Sequence, residues 1–205
     1  MVPYTFLEQD RVTVLPTEDR AFAMMLGDEA TMTRQGPAAP GFQAEDVLPV
    51  LTEHVCRYIR EHPAGTKPYF LYLPYASPHT PIAPKNEWRG KSGLNPYGDF
   101  VLQQDAAIGA LLEAIEASGQ AANTLLIITS DNGCSPQADY PELLAKGHNP
   151  SHVFRGTKAD IYEGGHRVPF LVRWPDVVAA GRTSDRLLCH VDLLATVAEL
   201  LEVAL

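Results

Sequence analysis

The strongest constraint on this chain is the run Thr124-Leu125-Leu126-Ile127-Ile128-Thr129, which follows shortly after a long amphipathic stretch. An uncharged run rich in aliphatic and β-branched residues, bounded by polar turns, reads as a buried strand. The stretch before it, residues 99–117, places Ile108, Leu111, Leu112 and Ile115 on one helical face, and Ser118-Gly119 suits its end. The same alternation occurs on either side. Val47, Val50, Leu51, Val55, Tyr58 and Ile59 recur at three- and four-residue steps, predicting a helix that ends near His62-Pro63. Tyr69-Phe70-Leu71-Tyr72-Leu73, between prolines, predicts a buried strand. Val168-Pro169-Phe170-Leu171-Val172-Arg173 predicts another. A last helix opens at Asp192 as N-cap and is expected to bury Leu193, Leu194, Val197, Leu200 and Leu201. Helix, strand, helix, strand, strand, helix is the order of an α/β sheet with helices on its faces.

The rest is loop or weakly patterned. Val12-Thr13-Val14-Leu15 reads as a short strand ended by Pro16, and residues 36–41, Gly-Pro-Ala-Ala-Pro-Gly, as loop. Residues 74–96 and 131–165 form two long irregular segments, the second with a helical turn around residues 142–145. Loops of this length within a compact domain are often functional. No internal repeat and no linker divides the 205 residues, so a single domain is expected, weakly patterned over residues 1–40.

Composition narrows the partners. A net charge of −9 argues against nucleic acid, which requires a surplus of Lys and Arg. An anionic substrate would therefore need a metal and a few placed cations to supply a local positive field. Cys56, Cys134 and Cys189 are odd in number and widely spaced, which suggests neither a disulfide framework nor a zinc knuckle. No apolar run is long enough to span a bilayer, and Met1-Val2-Pro3-Tyr4 does not open a signal peptide.

In sheets of this class, ligands bind beyond the carboxyl ends of the strands. Three polar segments fall in such places. Ser77-Pro78-His79-Thr80-Pro81 follows the first strong strand, Ser130-Asp131-Asn132-Gly133 follows the second, and residues 155–167, containing Arg155, Lys158, Glu163, Gly164, Gly165, His166 and Arg167, precede the third. Asp131 and Asn132 offer a carboxylate and an amide oxygen, hard ligands suited to calcium or magnesium. The same Asn-Gly is also a hairpin-turn signal. His79 is stiffened by flanking prolines, which suits a histidine held in one position and equally a surface turn. Lys158 is a compact charge able to contact an anion, or a solvated surface lysine. Gly164-Gly165 implies a tight backbone, and Glu163 with Arg167 an ion pair. Cys134-Ser135-Pro136-Gln137-Ala138 begins like C-x-P-x-R, but Ala138 stands where the arginine belongs, so Cys134 reads as a loop residue.

Taken in order, S-P-H-T-P over residues 77–81, T-S-D-N-G over 129–133, and R-G-T-K-A-D-I-Y-E-G-G-H-R-V-P over 155–169 closely resemble the type I sulfatases of the arylsulfatase A type, in the alkaline phosphatase superfamily. Gly90-Lys91-Ser92-Gly93, Tyr97-Gly98-Asp99 and the ending Asp192-Leu193-Leu194-Ala195-Thr196-Val197 resemble that family too, over about residues 40–201. The resemblance implies part of an alkaline-phosphatase-like sandwich, α/β, with a mostly parallel sheet. It implies hydrolysis of sulfate monoesters of sugars or aryl alcohols. Asp131 and Asn132 match two ligands of the family's Ca2+, His79 a histidine at the sulfate or its leaving-group oxygen, and Lys158 a lysine on sulfate oxygen.

The strand with two further aspartates, the C-x-P-S-R segment whose cysteine becomes formylglycine, and a later Lys and His pair do not occur before His79. The small C-terminal sheet domain is also not found. The chain therefore reads as a partial segment without the covalent catalyst, with exposed sheet edges and apolar surface expected. Two other readings stand beside it: a phosphate or phosphonate monoesterase of the same superfamily, and a remnant without activity. Family members are usually exported or lysosomal. His148, His152 and His166 lie near the site in sequence without a spacing that assigns them roles.

Overall fold

The computed structural model describes residues 2–28, 30–62, 65 and 67–204. Its centre is a pair of packed helices, α1 (Val47–Glu61) and α2 (Pro96–Ala117). Pro63, expected at the end of the first helix, lies outside the described residues. The buried stripe of α1 is Leu48, Thr52, Cys56 and Ile59, rotated from the expected one, of which Ile59 alone is fully buried. Thr52 can take a core position because its hydroxyl donates to the Leu48 carbonyl and lies 2.8 Å from the Tyr75 hydroxyl. Cys56 and Ile59 pack on Leu111, Ala114 and Ile115 of α2, while Leu48 joins Ile82, Phe100 and Ala107.

Helix α2 starts three residues before the expected Asp99. Asn95 caps it, its side-chain oxygen accepting from the Tyr97 and Gly98 amides, and Pro96 takes the first helical position, where no amide hydrogen is needed. Asp99 then lies buried in the first turn. Its carboxylate accepts from the Gly90 amide (2.7 Å), the Ser92 amide (2.9 Å) and the Ser92 hydroxyl (2.7 Å), tying the Gly90–Ser92 turn to the helix.

Burial alone would raise the Asp99 carboxyl, but the hydrogen bonds from Ser92 and Gly90 outweigh it and hold the group below its ordinary 3.8. A carboxyl depressed in the folded state contributes stability above its unfolded value and loses it as pH falls through the folded one. Asp99→Asn is therefore expected to cost about 1–3 kcal/mol at neutral pH. It should also flatten the acid limb below about pH 4 in urea midpoints measured against pH.

The strands form three separate two-stranded ladders among the described residues: β1 (Leu7–Glu8) with β2 (Arg11–Val12), β3 (Glu18–Arg20) with β4 (Gly36–Ala38), and β5 (Leu126–Thr129) with β6 (Phe170–Arg173). The α/β class is as expected; the mostly parallel sheet is not, since all three ladders are antiparallel. Residues 69–73 explain part of the difference. Instead of a buried strand they pair with no strand, and Phe70 and Tyr72 are 83% and 77% exposed. A strand requires a hydrogen-bonded neighbour for its backbone groups, and the described residues supply none there.

Residues 36–41, expected as loop, contain β4, held because Tyr4 bonds to the Pro37 and Ala39 backbone. The expected strand over residues 12–15 is confined to Arg11–Val12, and Val14 and Leu15 are exposed. Helix α3 (Tyr140–Ala145) fills the expected helical turn. A single turn, α4 (Glu163–His166), precedes β6. The last helix, α5 (Asp192–Leu200), is present, but it buries only Ala198; Leu194, Leu200 and Leu201 face outward. Asp192 is its first residue, and its carboxylate accepts from the Cys189 amide. No helix among the described residues is long and apolar enough to cross a membrane.

Candidate active site

The β5–β6 register sets Thr129 opposite Phe170, so the loop leaving β5 emerges beside the segment entering β6. Three glycines allow these segments to touch through bare backbone. The Gly133 amide donates to the Gly165 carbonyl at 2.9 Å, and a Cβ on Gly133 would stand 1.9 Å from the Gly164 carbonyl oxygen. A Cβ on Gly164 would stand 2.1 Å from the Gly156 oxygen, and one on Gly165 2.2 Å from the Asp160 oxygen. The Lys158 amide donates to the Cys134 carbonyl at 2.9 Å. The loop bearing Asp131 and Asn132 and the loop bearing Lys158 are thus one unit.

Within it the side chains are held to different degrees. The Asn132 amide nitrogen donates to the Gly133 carbonyl at 3.0 Å, which leaves the Asn132 side-chain oxygen as an open acceptor. The Ser130 hydroxyl donates to the Asn132 carbonyl. Asp131 is exposed, and its carboxylate has no hydrogen-bond partner among the described residues. Lys158 is half-buried and forms no ion pair among them. Its turn is set by Asp160, which accepts from the Thr157 amide at 2.8 Å, and by a left-handed Ala159 at φ 73°.

Arg155 lies over the Tyr162 ring, 3.7 Å from its centroid, and its carbonyl accepts from Gly164. Glu163 and Arg167 form the expected ion pair at 2.8 Å, but both are well exposed, so it adds little stability. The ring of His166 bonds the Ile161 carbonyl at 2.8 Å and so braces the loop.

His79 stands apart. Its Nδ1 lies 2.9 Å from the Thr80 carbonyl and 3.1 Å from the Thr80 hydroxyl, and its amide donates to the Ala76 carbonyl. The loop carrying it is pinned to α2: the Ser77 hydroxyl donates to Gln104, and Gln103 accepts from the Lys85 amide. The same helix reaches the other two loops at its start, where the Asn95 amide nitrogen donates to the Ala138 carbonyl at 2.9 Å. The structure therefore brings together the loops that carry Asp131, Asn132 and Lys158, and among the described residues no hydrogen bond joins the His79 loop to them directly; both are pinned to α2.

Sequence reasoning missed Tyr140 and Ser151. The Tyr140 hydroxyl lies 3.3 Å from the Cys134 carbonyl and 2.9 Å from the Ser151 hydroxyl, and Ser151 in turn donates to the Gly156 carbonyl at 2.9 Å. Neither residue belongs to an apolar period or a motif, so only geometry reveals them. Burial pushes the Cys134 thiol up, against the hydrogen bonds from Tyr97 and Tyr140. A protonated thiol is the opposite of what a nucleophile requires.

As metal donors, Asp131 and Asn132 are chemically apt. They are hard oxygens, adjacent, and uncommitted at the atoms that would ligate. They supply two of the roughly six to eight oxygens that calcium takes. Among the described residues no group of three His, Cys, Asp or Glu forms a metal cluster.

A family model described as Sulfatase matches residues 21–203, nearly the whole chain. The chain belongs to the sulfatase family. This sulfatase chain is 35% identical over 161 residues to an N-acetylgalactosamine-6-O-sulfatase of Bacteroides thetaiotaomicron, covering 77% of the chain and 31% of that protein. It is 39% identical over 137 residues to arylsulfatase A of Homo sapiens, covering 65% of the chain and 25% of that relative. A solved structure described in connection with the metabolism of multiple glycosaminoglycans by Bacteroides thetaiotaomicron superposes with a TM-score of 0.75 at 35% identity. The match covers 85% of this chain and 36% of that one. A protein crystallised in complex with k-i-k-neocarrahexaose superposes at 0.68 with 28% identity, covering 84% and 37%. The chain thus spans about a quarter to a third of the length of these curated relatives.

Proposed function

We propose that this sulfatase chain carries one side of a site that hydrolyses sulfate monoesters of sugars or aryl alcohols. The observation that supports it is the bond from the Lys158 amide to the Cys134 carbonyl, which joins the loop bearing Lys158 to the loop bearing two adjacent oxygen donors, Asp131 and Asn132. Cleaving a sulfate ester concentrates charge on the sulfate oxygens and develops more on the leaving oxygen. Lys158 contacts a sulfate oxygen and stabilises the first charge. His79 donates a proton to the leaving oxygen. Asp131 and Asn132 would supply two of the oxygen ligands of a calcium ion, which when bound would neutralise charge on the sulfate. The nucleophile is not among these residues, since no cysteine of the chain stands in a C-x-P-x-R sequence.

The test is turnover by the product of the complete gene, with an aryl sulfate compared against the matching aryl phosphate in the presence of calcium. Sulfate is expected to be preferred, and chelation to abolish the preference by removing activity. A clear preference for phosphate would transfer the site to a phosphomonoesterase, and no turnover of either would leave a remnant.

A further inference from the structure

The geometry points to Tyr140 and Ser151 as a positioning pair that locks the Lys158 loop to the Asp131–Asn132 loop. The assignment rests on the sulfatase reading for its catalytic consequence, but its structural part stands by itself. Two carbonyl oxygens define the joint between the loops. Cys134 O, just past the Asp131–Asn132 pair, accepts from the Lys158 amide at 2.9 Å and faces the Tyr140 hydroxyl at 3.3 Å. Gly156 O, two residues before Lys158, accepts from the Ser151 hydroxyl at 2.9 Å. The two hydroxyls lie 2.9 Å apart, and with one proton each they supply two hydrogen bonds: Tyr140 donates to Ser151, which donates to Gly156 O, while the longer Tyr140 contact to Cys134 O is the alternative use of the Tyr140 proton.

The anchor of this pair is stiff. Ser151 is buried, 8% exposed, and its amide is fixed by the Asn149 side chain at 3.1 Å. Tyr140 opens α3, whose Asp139 cap accepts from the Glu142 amide. The Tyr140 hydroxyl is pushed up to about 12, chiefly by burial, so it keeps its proton at any pH at which a hydrolase works. A half-buried lysine on a four-residue turn has many rotamers. Holding the turn fixed limits where its ammonium can go, which is the contribution a positioning residue makes to a preorganised site. Neither hydroxyl touches the Lys158 ammonium, and both act through the backbone.

Two readouts on the product of the complete gene test the pair. The first is amide hydrogen exchange, which needs no activity. In Tyr140→Phe and in Ser151→Ala, protection of the Lys158 amide is expected to fall about tenfold, as loss of one supporting hydrogen bond implies. Amides of the β5–β6 ladder should keep theirs. Unchanged protection at Lys158, or an equal loss across the ladder, would overturn the lock whatever the enzyme does.

The second readout is kcat and KM for an aryl sulfate in a cycle with Lys158→Ala. Tyr140→Phe should lower kcat/KM about tenfold in the parent and have almost no effect once Lys158 is gone, since interacting residues are non-additive. Ser151→Thr, which keeps the hydroxyl, should retain activity that Ser151→Ala loses. The same fold loss in both backgrounds would reduce the pair to general stability. Intact exchange effects in a protein with no sulfatase turnover would refute the proposed reaction and leave the lock standing.

Discussion

Gly164→Ala, introduced into the product of the complete gene, is expected to destabilise it by on the order of 3 kcal/mol and to abolish activity with it. The new Cβ would sit 2.1 Å from the Gly156 carbonyl oxygen and 2.8 Å from that of Arg155. Both are backbone atoms, so no side chain can rotate away. The Gly156 carbonyl is also held by Ser151, and the Arg155 carbonyl by the Gly164 amide itself. Relief would require the Lys158 loop to withdraw from the loop after β5, undoing the Gly133–Gly165 bond. Gly133→Ala should be as severe, with its Cβ 1.9 Å from the Gly164 oxygen. Gly109→Ala is the matched control. It lies within α2 with nothing inside 4 Å of its added carbon, so it should stabilise by about 0.5–1 kcal/mol through helix propensity. Urea midpoints of the three variants distinguish the cases. A Gly164→Ala midpoint equal to that of the parent would mean the loops do not abut as described.

The Gly164-Gly165 pair was readable because glycine states a backbone requirement directly. Helix α2 was readable for a similar reason, its period being carried by Leu111 and Ile115. Residues 69–73 misled because an aromatic and aliphatic run specifies a wish to be buried, not the neighbour that would bury it. The same holds for Leu194 and Leu200 of α5, whose stripe has the right period and, among the described residues, little to cover it. In α1 the buried line moved to Thr52 and Cys56, since a hydroxyl with two partners can enter a core that hydropathy alone reserves for Val and Leu.

At the site, Asp131, Asn132 and Lys158 could be picked out because their residue types and order are informative. Their meeting depended on the Thr129–Phe170 register, a long-range pairing that no local pattern encodes. Asp99 lay in a recognised stretch, Tyr97-Gly98-Asp99, yet its work of closing the Gly90–Ser92 turn becomes visible only with the hydrogen bonds drawn.

Removing the Lys158 ammonium is expected to have the largest catalytic effect of any single side-chain change within this chain that spares the fold. Its nitrogen has no ion-pair partner among the described residues, and the bond that seats the loop comes from the Lys158 backbone, which alanine retains. Stability should therefore be nearly unchanged. A cation aimed at charge that grows in the transition state contributes about 10²–10³ in rate when the site excludes water. Lys91, which lies over the Trp88 ring at 4.7 Å, carries the same charge elsewhere on the surface and serves as control.

The most direct measurement is kcat/KM for an aryl sulfate, with inhibition by free sulfate, for the product of the complete gene and its Lys158→Ala and Lys91→Ala variants. Lys158→Ala should lose about 10²–10³ in kcat/KM and bind sulfate more weakly, with an unaltered urea midpoint, while Lys91→Ala matches the parent. Equal behaviour of the two lysine variants would contradict a sulfate site built on the joined loops.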